Sequence, residues 1–272
     1  MIDLHIHSLY SDGSHSPIDV VRHAAQSNVS AISLTDHDCI LGLPEARKTA
    51  SSLGLQFIDG VELEAYTDIE SGTYIHILAY NIKDLKTMGD YLDRLRIERI
   101  DAVKKYIELL QSKNLDITYE SVCSLTPGRH LTPNHIAVWL VKNHFYSSFK
   151  AAKSDYLLPS SSNYIKRNYH PIDEIIHLIL ECGGIPVLAH PCRLGYSNES
   201  LDLFVAKLTN LGLRGIEAYY SSHSISQTRF YLSLAQKYNL IVTAGSDYHG
   251  YDDSGSIGMN VPNEKNIIAS LI

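Results

Sequence analysis

The sequence predicts an α/β fold: about seven strands with helices outside them, close to a closed β/α barrel, interrupted by a mostly helical insert. Three observations carry this. Short apolar runs alternate with amphipathic helical text over the first eighty residues and again after Pro171, the grammar of a largely parallel sheet. Between those two stretches the periodicity is helical only. Finally, 272 residues at 44% hydrophobic content can fill a single barrel of roughly 250 residues and leave room for a small insert.

The elements follow in order. Residues 2–6 read as a strand, and Pro17 opens a helix that turns Val20, Val21 and Ala24 to one side. Residues 31–35 form the second strand, Pro44 opens the second helix, and residues 55–61 and 74–80 are the third and fourth strands. From 85 to about 115, Leu92, Leu95, Ile97, Ile100, Val103, Ile107 and Leu110 recur near the helical period. Short helices are expected around Ser121 and over 133–143, then a polar, Ser-rich stretch over 147–168. Alternation resumes with a helix over 172–182, ended by Gly183 and Gly184. Strands at 185–189, 215–219 and 240–244 are separated by helices at 201–211 and 225–238. The expected organisation is a barrel from 1–84 and 166–272, with 85–165 as a cap over the strand ends where substrate enters.

Charge narrows the function. Lys+Arg 23 against Asp+Glu 30 gives a net charge of −7, which excludes a wide basic face gripping long nucleic acid. A small phosphorylated metabolite, such as a nucleotide or short oligonucleotide, remains a fitting partner; oligomeric state is not encoded in any pattern. No apolar run approaches the roughly 18 residues of a membrane span, and the opening MIDLHIHS does not resemble a signal peptide. Cys39, Cys123, Cys182 and Cys192 form no CxxC pair, so a reducing cytoplasm is the expected compartment.

The 14 histidines carry the chemistry. His5 and His7 are two apart in an extended run, so both face one side. His37 follows the second strand, Glu62 ends the third, His76 lies in the fourth, His190 ends a later strand, and Asp247 and His249 follow the last. Asp12 sits in the loop after the first strand. In a β/α barrel such strand ends meet at one mouth. A lone histidine there is more often a hydrogen-bonded rim residue. Ligand-type residues at nearly every strand end, in both halves of the chain, point instead to divalent ions such as zinc, manganese or iron. The cluster exceeds one tetrahedral site and suits two or three ions, with Glu62 as a bridge; without metal, so many ionisable groups are costly to bury together.

Asp3-Leu4-His5-Ile6-His7-Ser8, Asp12-Gly13, Thr35-Asp36-His37-Asp38, Gly60-Val61-Glu62, His190-Pro191 and Ser246-Asp247-Tyr248-His249 together resemble the motifs of the PHP (polymerase and histidinol phosphatase) superfamily. The resemblance implies a distorted seven-stranded barrel whose metal centre hydrolyses phosphate esters. It implies one ion on His5, His7, Glu62 and Asp247, a second on Glu62, His76 and His190, and a third on Asp12, His37 and His249. The helical insert is similar to that of a branch acting on nucleoside 3′,5′-bisphosphates, nucleoside monophosphates or the 5′ ends of short RNAs. In that branch the insert carries Thr-Arg-x-His; here it reads Thr132-Pro133-Asn134-His135, with Pro133 in place of the arginine. Arg129 is a candidate replacement, His135 a candidate substrate contact, and Arg193 the first choice for a phosphate clamp. A hydroxide bridging two ions is the expected nucleophile, with Glu62 and Asp247 holding the ions and His249 a candidate general acid. The alternatives are a histidinol-phosphate phosphatase and, in another class, a non-catalytic module docking to nucleic-acid machinery. A C–N hydrolase on a related barrel usually needs a metal-bridging lysine, for which no position offers itself.

Overall fold

The computed structural model describes residues 1–68, 73–126, 131–158, 160–165, 170–250 and 256–272. Seven strands, β1 (Ile2–Ile6), β2 (Ala31–Leu34), β3 (Gln56–Asp68), β4 (Thr73–Tyr80), β5 (Ile185–Leu188), β6 (Gly215–Tyr220) and β7 (Ile241–Gly245), lie in one sheet in sequence order. Backbone bonds from His7 N–H to Tyr248 O and from Asp247 N–H to His5 O, each 2.9 Å, bring the two edge strands together and nearly close the barrel. β1, β2 and β3 run parallel, as do β5, β6 and β7, whereas β4 is antiparallel to both its neighbours.

The reversal of β4 departs from the expected grammar and has a simple cause. β3 continues well beyond Val61 to Asp68, leaving only a few residues before β4. A parallel neighbour needs a crossover of a dozen or more residues, while a hairpin needs two. The consequence is functional: the first half of β4, not its end, lies at the mouth, and the register sets His76 against Glu64 and Leu78 against Glu62.

Helices α1 (Pro17–Gln26) and α2 (Leu43–Leu53) cover the first strands. Ser16 caps α1 by accepting the Asp19 N–H at 3.2 Å, and Val20, Val21 and Ala24 are buried. The insert supplies α3 (Leu85–Ser112), α4 (Tyr119–Cys123), α5 (Asn134–Lys142) and α6 (Phe149–Tyr156); α7 (Ile172–Glu181), α8 (Asn198–Leu211), α9 (Ile225–Tyr238) and α10 (Glu264–Ala269) return to the barrel. The 28 residues of α3 span about 42 Å, and the helix serves two cores. Met88, Leu92 and Leu95 pack with the barrel cluster around Ile175 and Ile179, whereas Val103, Tyr106, Ile107 and Leu110 pack with Ile136, Leu140 and Ala152 of the insert. The expected cap boundary at 85 therefore falls at the start of a helix shared by both. Helix α6 lies inside the Ser-rich stretch; Ser148 caps it, and Ala152 and Tyr156, one turn apart, are its buried anchors.

The bottom of the site demands a glycine. A methyl group on Gly245 would lie 2.2 Å from His5 Cβ and 2.6 Å from Glu217 Oε1, and neither neighbour can retreat without moving a strand. Gly245→Ala is expected to lose about 2–3 kcal/mol or more of stability in urea unfolding. Gly89→Ala, within α3, meets nothing closer than Ile40 Cδ1 at 3.5 Å and is expected to be neutral or to gain up to about 1 kcal/mol. Equal effects at the two positions would contradict this packing.

Candidate metal centre

The carboxylate of Glu62 is fully buried and stands at the centre of five imidazoles. Its Oε2 lies 3.1 Å from His5 Nε2, 3.2 Å from His7 Nε2 and 3.2 Å from His37 Nδ1. Its Oε1 lies 2.9 Å from both His76 Nδ1 and His190 Nε2. Asp247 Oδ1 completes one side at 3.4 Å from His5 Nε2 and 3.1 Å from His7 Nε2. Asp12 joins His249 Nε2 at 3.3 Å, His7 Nδ1 at 3.6 Å and His37 Nε2 at 3.7 Å.

Donor atoms thus converge in overlapping groups, each within 4.8 Å: His5, His7, Glu62 and Asp247; His7, Asp12, His37 and His249; and His37, Glu62 and His76. His190 meets His76 at 3.2 Å across the same Glu62 oxygen. All nine side chains singled out as metal ligands are gathered here. The first group coincides with the first expected ion. The second contains the third expected ion's residues and adds His7.

The arrangement fits a metal better than a hydrogen-bond network. His5 Nε2, His7 Nε2, Asp12 Oδ1 and Glu62 Oε2 are buried with no hydrogen-bond partner, although donors and acceptors stand face to face. Two ligands on a tetrahedral ion with bonds near 2.0–2.1 Å are about 3.3 Å apart, which is the spacing seen around Glu62.

A surrounding layer of carboxylates fixes these rings. Glu217, fully buried, accepts from His5 Nδ1–H at 3.0 Å and from His190 N–H at 2.7 Å. This leaves His5 Nε2 free to face the centre. Asp36 takes the Ser8 N–H and Ser8 hydroxyl, each at 2.7 Å, and the Ser11 hydroxyl at 2.6 Å; Ser11 Oγ lies 3.4 Å from His7 Nδ1. Asp3 accepts from Ser246 N–H at 2.9 Å and Gly258 N–H at 2.7 Å, tying β1 to the segment that carries Asp247. Sequence reading left the role of Glu217 open and did not assign these roles to Asp3 and Asp36. Their signal is an acidic residue inside an otherwise apolar barrel strand or beside a ligand. The backbone is strained here as well: Asp38, His190 and Asp247 have φ of 43°, 25° and 59°, a region costing non-glycine residues about 1–3 kcal/mol each.

Electrostatics divides the cluster. Burial opposes charge on His5 and His7, but the adjacent carboxylates win: His5 is raised well above its ordinary value and His7 to about 10. Burial likewise opposes ionisation of Glu62 and Asp247, and the imidazoles hold both well below the usual carboxylate range. His37 goes the other way, down to about 4, because burial and the nearby rings of His7 and His76 outweigh Glu62 and Asp12. Burial pushes Asp3 up to about 6.

A cavity of about 350 Å³ opens between this cluster and the insert. Asp12, His37 and His76 line it from the barrel, and Thr132, His135 and Lys153 from the insert. His135 Nδ1 accepts the Thr132 N–H at 3.1 Å, so the neutral ring carries its proton on Nε2. Burial favours this neutral form by lowering the pKa. Pro133 faces the same cavity. Arg193 sits on the other side of Asp247, donating to Asp247 Oδ2 at 2.6 Å and to the Tyr220 hydroxyl; Tyr220 also donates to Asp247 at 3.0 Å. Arg129 lies outside the described residues. No helix among the described residues is long and apolar enough to cross a membrane.

The raised pKa of His7 has a testable sign. Its folded value near 10 exceeds the unfolded value of about 6.5. In metal-free protein its contribution to stability is therefore full below pH 6.5 and is lost as pH rises towards 10. The urea midpoint of the metal-free chain is expected to fall across that window. With manganese bound, which needs unprotonated imidazoles, the decline should flatten or reverse. A metal-free midpoint that rises from pH 7 to 10 would contradict the assignment.

Residues 3–181 match the PHP domain family. A phosphoribosyl 1,2-cyclic phosphate 1,2-diphosphodiesterase from Eggerthella lenta is 30% identical, over 96% of this chain and 98% of its own. A 3′,5′-nucleoside bisphosphate phosphatase from Chromobacterium violaceum is 26% identical, over 93% of this chain and 89% of its own. A 5′-3′ exoribonuclease from Haemophilus influenzae is 29% identical, over 91% and 89% respectively. Among solved structures, one from Bifidobacterium adolescentis, described as a metal-dependent phosphoesterase, superposes with a TM-score of 0.77 at 26% identity, covering 99% of this chain and 94% of that one. An amidohydrolase from Chromobacterium violaceum shares the fold with a TM-score of 0.81 at 24% identity, covering 100% and 97%. With buried imidazoles and carboxylates converging on one mouth of such a barrel, the chain belongs to the PHP domain family and is a metal-dependent phosphoesterase.

Proposed function

We propose that this enzyme hydrolyses phosphate monoesters of nucleotides, nucleoside 3′,5′-bisphosphates or monophosphates, or trims the 5′ ends of short oligonucleotides. The observation carrying this reading is the ring of ligand-type side chains around Glu62, opening into a cavity roofed by the insert. His5, His7, Glu62 and Asp247 are assigned to one divalent ion, Glu62, His76 and His190 to a second, and Asp12, His37 and His249 to a third. When bound, two or three such ions (manganese, zinc or iron) supply an activated water at neutral pH and positive charge for the phosphoryl oxygens.

The chain's own groups do the rest. Arg193 is held by Asp247; were a bound ion to take up the Asp247 charge, the guanidinium would be available to a phosphoryl oxygen, for which its fork geometry is suited. His249 Nδ1 meets the Asp247 carbonyl at 2.7 Å, so its Nε2, 3.3 Å from Asp12, would hold the third ion where three bind; where only two bind, that nitrogen is left to give a proton to the leaving oxygen. On the far wall, the His135 Nε2–H and the Lys153 ammonium, 5.8 Å above the Tyr74 ring, suit the sugar or a second anionic group. The names of the bisphosphate phosphatase and exoribonuclease relatives support this substrate class.

A second reading rests on Pro133. Without a cation at that position a smaller substrate with no base, such as the phosphorylated ribose bearing a cyclic phosphodiester named for the Eggerthella lenta relative, would fit. A manganese-supplied screen separates the two. Adenosine 3′,5′-bisphosphate, AMP, 5′-phosphorylated trinucleotides, phosphoribosyl 1,2-cyclic phosphate and histidinol phosphate would be compared by kcat/KM. The nucleotide group is expected to exceed histidinol phosphate at least about tenfold, a difference of ~1.4 kcal/mol in transition-state binding. Preference for the cyclic phosphate would favour the second reading, and no turnover of any ester would overturn both.

Variants test the roles. Asp247→Asn is expected to lower kcat by about a thousandfold or more, on the scale of losing an essential electrostatic group, with circular dichroism unchanged. Arg193→Ala is expected to act mainly on KM. Wild-type turnover by Asp247→Asn at saturating manganese would contradict the site.

A further inference from the structure

One buried ion pair lies outside the ligand set and yet holds the backbone beside two of its members, His37 and Glu62. Arg99 of α3 donates to Asp38 Oδ2, with the two side chains only 15% and 3% exposed. Asp38 follows His37 directly. Its Oδ1 accepts the Glu64 N–H at 3.3 Å, and its own N–H donates to the Glu62 carbonyl at 2.8 Å. Its backbone is held at φ 43°, a left-handed conformation that a non-glycine residue keeps only where its surroundings enforce it. Arg99 stands on α3 between Leu95, which packs in the barrel core, and Val103, which packs in the insert's core. Nearby Arg94 and Arg96 engage the Tyr91 ring and Asp93 on the same helix; Arg99 reaches the barrel.

We propose that Arg99 and Asp38 are positioning residues that couple the docking of the insert to the ion site containing His37. The pair clamps the turn that presents the His37 ring and the β3 backbone that presents Glu62. If the insert shifts away, Asp38 loses its counter-charge in a buried place, the strained turn relaxes, and His37 leaves its position. Metal occupancy at that site then reports whether the insert is seated. The inference rests on the metal reading above, but not on any particular substrate.

The test uses the whole chain and manganese alone. Metal content by plasma mass spectrometry after equilibration, and apparent affinities from competition with a chelating dye, would be compared for wild type, Arg99→Met, Arg99→Lys and Leu208→Ala. Leu208 of α8, buried in the barrel core, controls for general destabilisation that leaves the insert's packing alone. Arg99→Met is expected to weaken one ion at least about tenfold, the usual cost of removing a group that orients a ligand, leaving the others within about threefold. Arg99→Lys should restore most of the affinity, and Leu208→Ala should lower the melting temperature without changing metal binding. Should Arg99→Met fail to fold, the uncharged double variant Asp38→Asn/Arg99→Met carries the same expectation, since it leaves no lone buried charge. Unchanged affinities in these variants, or an equal loss in Leu208→Ala, would overturn the coupling. A higher KM with intact metal binding would make Arg99 a substrate contact and overturn it too. Wild-type protein that takes up no manganese would sink the metal reading itself, a result distinct from failure of the coupling alone.

Discussion

The Glu62 carboxylate has five imidazole nitrogens within 3.2 Å and almost no access to solvent. A lone carboxylate in such a place would be driven to its neutral form by desolvation, and a lone buried histidine likewise. Glu62, His5, His7 and His76 hold one another charged, while burial, helped by repulsion from neighbouring rings, keeps His37 and His190 from sharing in it. The resulting balance of opposed charges suits metal in place of protons, and the Nε2 atoms of His5 and His7, buried without a hydrogen-bond partner, face the place where it would bind. Hydrogen bonds to Glu217 and Asp3 keep the segments that carry these side chains in place.

The chain achieves this by bringing strands from distant sequence to a common rim and locking them from below. Glu217 on β6 fixes both His5 and the backbone of His190. Asp3 on β1 fixes the segment after β7, and Gly245 allows β7 to pass within contact of His5. The hairpin that reverses β4 is what puts His76 on the rim. The same economy appears in the insert, whose long first helix is both a barrel helix and a wall of the second core. A net charge of −7 does not conflict with an anionic substrate, because the charge that matters is local: bound metal would offset the carboxylates of the cluster, and Arg193 beside Asp247 and Lys153 on the cavity wall add positive charge.

Much of this was legible in the sequence because strand ends and ligand chemistry are both local signals. The strands announced themselves as short apolar runs, and the residues that ended them were histidines and carboxylates. The direction of β4 was not legible, since alternation of apolar residues carries no polarity; only the few residues separating it from β3 revealed the hairpin. Helix α6 was hidden because just two buried residues, Ala152 and Tyr156, anchor it among lysines and serines. Arg99 was invisible for a related reason: beside Arg94 and Arg96 it looks like one more charge on a solvated helix, and its partner Asp38 lies far away in the chain. The motif position held by Pro133 did lead to the cavity, but Lys153, which shares that cavity, comes from the helix that composition concealed.

Anomalous diffraction at the manganese edge from crystals grown with manganese would test the central claim most directly. The account predicts two or three peaks, one of them between Glu62 and the His5, His7 and Asp247 side chains, each within about 2.0–2.3 Å of its nitrogen and oxygen ligands. A map with no peak near Glu62, and with manganese bound elsewhere on the chain, would contradict it.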